Sequence, residues 1–174
     1  MSHLELEPVK RVRQALSVAG HPDHIRELSD APDGVTAAAK ALSVDPGAMV
    51  QVQVFTIGLR YVVVLMAGDR QCDPGQLPKV FQLQGDVVRP GADLVRAVTG
   101  FSLTAMPPVG WASKLPTAID ASLKRFETLY TLAGHPECVF ETSVDALKSL
   151  TGGVVSYALA VPAQPPETEH GKTP

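Results

Sequence analysis

Cysteine is scarce in this chain of 174 residues. The two cysteines, Cys72 and Cys138, form no CxxC pair and have no pair of histidines near them. This scarcity argues against a disulfide scaffold and against a structural zinc site, because both need clustered ligands. It fits a protein of the reducing cytoplasm in which both thiols are small packing residues.

Long apolar runs are missing as well. No stretch reaches the roughly 18 consecutive apolar residues that would cross a bilayer, and the N-terminal stretch MSHLELEPVKRVRQ has no apolar segment of a secretion signal. We therefore expect neither membrane insertion nor secretion. With 45% hydrophobic and 19% charged residues, the composition fits one globular domain that is large enough to bury a core.

There is no excess of positive charge, since the formal net charge is −3. The basic residues form short clusters that are typical of ordinary solvated faces. These clusters are Lys10-Arg11 with Arg13, Arg89 with Arg96, and Lys114 with Lys124-Arg125. A protein that binds RNA needs a local positive patch and not a basic composition, so charge alone decides nothing.

The standard motifs of nucleotide-binding, hydrolytic and metal-dependent enzymes are absent. The chain contains no GxGxxG, no P-loop, no GxSxG and no HExxH. His21 and His24 share one turn, but no cluster of carboxylates or cysteines accompanies them. We predict no metal and no cofactor.

The strongest pattern that is present is a hairpin over residues 50–66. The segment Val50-Gln-Val-Gln-Val54 alternates at the period of two that a pleated strand imposes. Gly58 suits the tight turn, and residues 61–66 are a continuous apolar run, typical of a strand buried on both faces. We expect this hairpin to be the centre of the fold.

Short helices and strands surround the hairpin without regular alternation. Helices are predicted over residues 8–19, 37–42, 74–80, 91–99 and 144–150, and further strands over residues 25–28, 117–120, 127–133, 137–142 and 154–161. Thr36 is expected to cap the second helix, and Thr142 with Asp145 the last. The pattern predicts an α+β domain with a mixed, mostly antiparallel sheet flanked by short helices, over residues 1–161. Residues 162–174 are rich in Pro, Glu and Thr and are predicted to be a disordered tail.

The candidate site lies where polar residues and a long loop meet. Gln51 and Gln53 are spaced along one side of the hairpin, and polar side chains beside a buried strand need either a partner or a pocket. Residues 100–116 have glycine and proline breaks and no periodicity, which is typical of functional loops. We expect this loop to face Gln51, with the turn at Gly134 and His135 nearby.

An ordered set of segments resembles the YbaK/ProX family, the free-standing aminoacyl-tRNA editing proteins related to the editing insertion domain of bacterial prolyl-tRNA synthetase. The set covers roughly residues 9–158. The matching segments are Thr36-Ala-Ala-Ala-Lys-Ala-Leu-Ser-Val-Asp-Pro-Gly-Ala-Met-Val50, Val54-Phe55, Val64-Leu-Met-Ala-Gly-Asp-Arg70, Val98-Thr-Gly-Phe101, Pro108-Val-Gly110, Leu115-Pro-Thr-Ala-Ile-Asp120 and Ser149-Leu-Thr-Gly-Gly.

The resemblance implies an antiparallel, barrel-like sheet and hydrolysis of the ester that joins a wrong amino acid to the 3′ end of a tRNA. Such an ester is already activated, so a positioned water or the neighbouring ribose hydroxyl can attack it while backbone N–H groups hold the oxyanion. The implied partner is the aminoacyl end of a mischarged tRNA, with an aminoacyl-tRNA synthetase as the other candidate. Neither DNA nor a membrane is implied.

The chain departs from the family at the implied catalytic positions. Gln51 stands where the family has a lysine, and it offers neutral hydrogen bonds in place of a point charge. Thr104 and Ala105 stand where a Gly-Gly pair usually precedes the proline, which is here Pro108. The resemblance makes these residues the catalytic segment and Pro108 part of the substrate pocket.

Gly134 and His135 match the Gly-His of some alanine-specific relatives, in which the histidine helps to set the pocket size; an ordinary turn residue is the other interpretation. Two further functions stay open beside an active deacylase. One is a binding module for the tRNA 3′ end or an aminoacyl nucleotide that has lost catalysis. The other is a hydrolase or binder for another small acyl ester.

Overall fold

The computed structural model describes residues 2–29 and 34–162. In chain order, the helices are α1 (Glu7–Val18), α2 (Gly34–Leu42), α3 (Leu77–Phe81), α4 (Ala92–Thr99) and α5 (Val144–Thr151). The strands are β1 (Ile25–Glu27), β2 (Met49–Ile57), β3 (Arg60–Ala67), β4 (Arg70–Cys72), β5 (Val87–Val88), β6 (Thr117–Asp120), β7 (Leu129–Leu132), β8 (Cys138–Thr142), β9 (Val154–Ser156) and β10 (Ala160–Pro162). No helix among the described residues is long and apolar enough to cross a membrane.

The predicted hairpin is the centre of the sheet. Strands β2 and β3 pair from Val50 opposite Ala67 to Ile57 opposite Arg60, and Gly58 in the turn has a φ of +60°. Strand β3 is fully buried from Val62 onward, as its continuous apolar run predicts. The hairpin therefore forms as a local unit whose second strand lies inside the molecule.

The sheet is mixed and mostly antiparallel, which confirms the predicted α+β class. Eight strands form one sheet in the order β1-β8-β7-β2-β3-β6-β9, with β5 paired to β2 beside this path. Only the β2–β7, β3–β6 and β6–β9 pairs are parallel. Strands β4 and β10 form a separate antiparallel pair.

The two faces of the hairpin belong to two different cores. Val50, Val54 and Leu65 pack with the apolar face of α1 in one core. Phe55 and Val64 pack with residues of α3 and of the segment before β10 in the other. Both faces are covered, so any polar residue on β2 must find a partner or an opening.

Both predicted helix caps differ from the sequence-based expectation. Helix α2 begins at Gly34, so Thr36 lies in its first turn and not before it. Ser143 caps α5, with its hydroxyl accepting from the Ala146 N–H at 3.1 Å, because Thr142 is still the last residue of β8 and its hydroxyl contacts His21.

The last predicted strand is divided in two. Strand β9 pairs with β6, and after a turn in which the Ala158 N–H donates to the Ser156 hydroxyl, β10 pairs with β4. One continuous strand could not reach both partners. Pro162 ends β10, and the rest of the predicted tail, residues 163–174, lies outside the described residues.

The turn after β3 is packed directly against the turn that enters β2. A Cβ at Gly68 would overlap the carbonyl oxygen of Pro46 and a methyl of Val35. Arg125 donates to both carboxylate oxygens of Asp69, at 2.9 and 2.7 Å, and these hydrogen bonds hold the pKa of Asp69 below its usual range. The two ends of the hairpin are therefore held together at the base of β2.

We expect Gly68→Ala to lower the free energy of unfolding by about 3 kcal/mol, because the added methyl meets backbone that cannot move aside without shifting the start of β2. Urea unfolding followed by circular dichroism measures this. Gly75→Ala is the matched control, since a Cβ there makes an ordinary contact of 3.4 Å with Asp73. Equal stability of the two variants would show that the two turns are not in close contact.

Candidate functional site

Within residues 2–29 and 34–162, the middle of β2 has a neighbouring strand on one side only. On the side away from β3, β7 pairs with β2 through Met49 and Val50, and β5 pairs with it through Thr56 and Ile57. Between these pairings, residues 51–55 face a gap in the sheet. Backbone N–H and C=O groups along such a gap are available to a ligand.

A cavity of about 370 Å³ lies over this gap, within the range of about 300–1,000 Å³ that small-molecule sites occupy. Its walls come from β2, from α2, from the segment after β5, from the loop after α4 and from the segment around the end of β7. The lining residues are Gly34, Val35, Ala38, Met49, Val50, Gln51, Val52, Gln53, Val54, Arg89, Pro90, Leu103, Thr104, Met106, Leu132 and Pro136. The long loop therefore faces Gln51, as predicted from the sequence.

Gln51 and Gln53 are the polar residues of β2 at this cavity, and both are half-buried. The Gln51 Nε2 donates to the carbonyl of Ala67 over 3.4 Å, a long and weak contact. The Gln53 Oε1 is buried and has no hydrogen-bond partner among the described residues. A buried oxygen without a donor is unfavourable, so this wall is suited to a ligand or water that donates to it.

The loop at residues 102–106 contains three amides without an acceptor among the described residues, those of Ser102, Leu103 and Met106. The Ser102 side chain accepts from the Thr104 N–H at 3.3 Å, and the Ser102 carbonyl accepts from the Ala105 N–H at 3.2 Å. The N–H of Met106 has no acceptor within the part of the chain that the structure describes. Thr104 and Met106 line the cavity, whereas Ala105 is buried behind it. The amides of Leu103 and Met106, on either side of the two predicted residues, are thus the ones at this cavity that have no acceptor among the described residues.

Gly134 supports this loop from behind. Its N–H donates to the carbonyl of Ala105 at 3.1 Å. Its φ is +90°, and a Cβ there would come within 3.0 Å of the backbone of Pro8, so glycine is required by both conformation and space. Gly134 therefore has a structural role beside the cavity, and it is not among the lining residues.

His135 lies outside the cavity, and its neighbour Pro136 lines it instead. The His135 ring stacks on the ring of His3 with centroids 4.0 Å apart and an angle of 15°. Its Nδ1 accepts from the Glu137 N–H at 3.1 Å. This arrangement is that of a turn residue, one of the two interpretations given for it above.

Pro108 is buried and lines a different cavity, together with Trp111 and residues at the end of α5. The Trp111 Nε1 donates to the carbonyl of Pro107 at 2.8 Å and fixes this part of the loop. The structure thus brings Gln51 and Thr104 to one cavity, keeps Ala105 and Gly134 next to it, and separates Pro108 and His135 from it. Gln53, at the same face of the strand as Gln51, could have been identified from the period of two.

The cluster of His3, His135 and Glu137 brings potential metal ligands within 4.8 Å of one another. The His3 Nδ1 lies 2.6 Å from Glu27 and 2.7 Å from Glu137, although neither contact has hydrogen-bond geometry. The ring-nitrogen lone pairs lie in the ring planes, so two nearly parallel stacked rings cannot direct them at one ion. The cluster does not fit a shared metal.

The cavity contains almost no acid–base chemistry. Among the described residues, Arg89 is the only titratable side chain that lines it. Burial raises the pKa of the nearby Cys72 thiol to about 11, although Arg89 opposes this, and burial likewise raises the pKa of Cys138 to about 11. Both thiols are therefore protonated and poor nucleophiles near pH 7. The site can position a substrate and donate hydrogen bonds, but its described side chains supply no general base.

Comparison with known families decides the wider assignment. The family model described as "Aminoacyl-tRNA editing domain" matches residues 31–150, which is more than half of the chain. The chain belongs to the aminoacyl-tRNA editing domain family. Among curated proteins, none has a sequence that matches it significantly.

Solved structures agree with membership of the editing-domain family. One, described as a candidate trans-editing enzyme for prolyl-tRNA synthetase, is 26% identical with a TM-score of 0.83 and covers 90% of this chain and 98% of its own. A scaffold used for computational epitope grafting is 25% identical with a TM-score of 0.80, covering 87% and 96%. A hypothetical protein at 20% identity and a TM-score of 0.77, covering 87% and 99%, shares the fold.

We expect the histidine stack of this editing domain to make its stability depend on pH. Burial, together with the imidazole of His3, lowers the pKa of His135, and a protonated Nδ1 could no longer accept from Glu137. The unfolded chain then binds more protons than the folded one, so stability rises with pH and falls as the pH drops from about 7 to about 5.5.

His135→Asn should flatten this dependence, because an asparagine oxygen can accept the same N–H two residues on without titrating. Thermal unfolding at a series of pH values measures it. His24→Asn changes an exposed histidine and should leave the profile as in the wild type. If His135→Asn keeps the full pH dependence, another group is responsible.

Proposed function

We propose that this protein is a trans-editing deacylase that hydrolyses the ester bond of a mischarged tRNA. One observation carries the proposal: Gln51, at the position where the family resemblance implies a lysine, lines the same cavity as Thr104 and Met106 of the loop. Such a reaction would take place in the cytoplasm, where charged tRNA is used. The edited amino acid is a small one if it has to share about 370 Å³ with the terminal ribose.

The reaction needs little from the side chains. Attack by water on the activated ester carbonyl forms a tetrahedral oxyanion, whose collapse releases the amino acid and returns the proton to the ribose oxygen. The N–H of Met106, which has no acceptor among the described residues, is suited to hold this oxyanion. Donors of this kind typically contribute the largest share of catalysis in acyl transfer. Thr104 and Ala105 would act by shaping the turn that presents this amide.

Gln51 would orient the substrate without adding a charge to the site. Its amide makes a single long contact with Ala67 among the described residues, so it can exchange that contact for one to the ester or ribose. A neutral hydrogen bond is roughly half as strong as one from an ammonium group. We therefore expect slower chemistry than a lysine would give, with the same substrate geometry.

A binding module that has lost catalysis is the second candidate. The observation that favours it is the cavity wall, in which Arg89 is the only titratable side chain that the structure describes. Such a module would hold the aminoacyl end of tRNA and protect or present it. The two functions use the same cavity, and they differ in whether the ester is cleaved.

Deacylation assays with a panel of mischarged tRNAs separate these functions. We expect the wild type to deacylate at least one of them, and Gln51→Ala to lower kcat/KM about 5- to 10-fold, as the loss of one neutral hydrogen bond predicts. Gln51→Lys should be at least as active as the wild type. Gln84→Lys adds the same charge at an exposed position and should change nothing.

Two outcomes would contradict the proposal. If the wild type deacylates no tRNA in the panel while Gln51→Lys gains activity, the binding module is the better description. If the protein does not bind aminoacyl-tRNA even at low salt, where phosphate contacts are strongest, both functions are excluded.

A further inference from the structure

A second, polar cavity of about 450 Å³ adjoins the first. The two cavities share Gln51, Gln53 and Arg89, so they meet along one face of β2. The second cavity is also lined by Arg70 and Gln71 of β4. A ligand in the first cavity can therefore extend past the two glutamines toward two arginines.

Paired strands fix the backbone position of each arginine. Arg70 begins β4, directly after the Gly68–Asp69 turn, and β4 is paired along its length with β10. Arg89 follows β5, which is paired with the end of β2. The Cζ of Arg89 lies 5.0 Å from the centre of the Phe55 ring, a stacking contact that limits the directions its guanidinium can take.

Neither guanidinium has an acidic partner in the part of the chain that the structure describes. Among residues 2–29 and 34–162, no carboxylate lies within 4.0 Å of Arg70 or Arg89. By contrast, Arg26 and Arg125 each have an acidic partner, Glu141 and Asp69. Two unpaired guanidinium groups on one concave surface favour an anion, and planar guanidinium groups bind phosphate oxygens especially well.

The buried Oε1 of Gln53 gives independent support for a ligand here. It has no donor among the described residues, and its side chain lines both cavities. Once the Gln53 amide turns toward the cavities, a ribose or a similar hydroxyl-bearing group between them would supply that donor. An anion alone would not, because phosphate oxygens at neutral pH mainly accept hydrogen bonds.

We propose that the second cavity binds the 5′-phosphate of the terminal adenosine of the substrate through Arg70 and Arg89, and so supplies the positive charge that Gln51 does not. This inference rests on the proposed function for its choice of nucleotide. It assigns the two arginines to binding and leaves the ester to the neutral groups of the first cavity.

Calorimetric titration with adenosine 5′-monophosphate, adenosine and inorganic phosphate tests the inference without any reaction. At low salt we expect adenosine 5′-monophosphate to bind at least about tenfold more tightly than either of the others, because only it offers both the anion and the hydroxyl groups. Its affinity should fall as salt is added, while that of adenosine stays nearly constant.

The double variant Arg70→Gln/Arg89→Gln should bind adenosine 5′-monophosphate no better than adenosine, with an unchanged thermal midpoint. Arg60→Gln, which removes an exposed arginine at the tip of the hairpin, should keep the wild-type preference. The inference is overturned if adenosine binds as tightly as its monophosphate, if inorganic phosphate alone does so, or if the preference survives in the double variant.

This result is separable from the proposed function. A phosphate preference that depends on both arginines would stand even if no mischarged tRNA is deacylated, and it would then support the binding module. Deacylation without any phosphate preference would keep the proposed function and remove the subsite.

Discussion

The interruption of strand pairing along β2 is the constraint on which the rest of the structure depends. Strand β7 leaves β2 after Val50, and β5 joins it only at Thr56, so the strand is held at both ends and open in the middle. The hairpin can carry this gap because β3 pairs with β2 over its whole length and is itself buried. A rigid wall with an unpaired edge is thus created without a mobile loop, and the 102–106 segment needs only to lie across it.

The two glutamines on this wall oppose the local preference of the strand. Met49, Phe55 and Ile57 lie on the same face of β2 as Gln51 and Gln53, and these three side chains are almost fully buried. Apolar residues at the two polar positions would extend the core, so the unsatisfied Gln53 oxygen is a departure from good packing. Such local conflicts are expected at functional sites, where an interaction with a ligand replaces one within the protein.

Much of the fold could be predicted from the sequence because its signals are local. The hairpin follows from alternation and a turn glycine, and strand β6 has the predicted bounds, Thr117–Asp120. The cap of α5 was displaced by one residue because β8 continues to Thr142, which depends on tertiary pairing with β7. The place of His135 depends on His3, a contact distant in sequence that no periodicity encodes. The cavity itself arises from where β7 and β5 stop, which is likewise a property of the assembled sheet.

In the proposed function, Gln51 takes the place of the lysine that the family resemblance implies, and this would change how charge and chemistry are divided in the site. A lysine on β2 would place its ammonium group between the ester and the phosphate, so one cation would serve both. Here the cations are Arg70, at the start of β4, and Arg89, directly after β5. The phosphate would then be held by charge-assisted bonds, while the developing oxyanion meets only neutral donors such as the Met106 amide. The affinity for the substrate would then depend strongly on salt. The rate of the chemical step would depend on salt only weakly, because screening weakens attraction between charges much more than it weakens neutral hydrogen bonds.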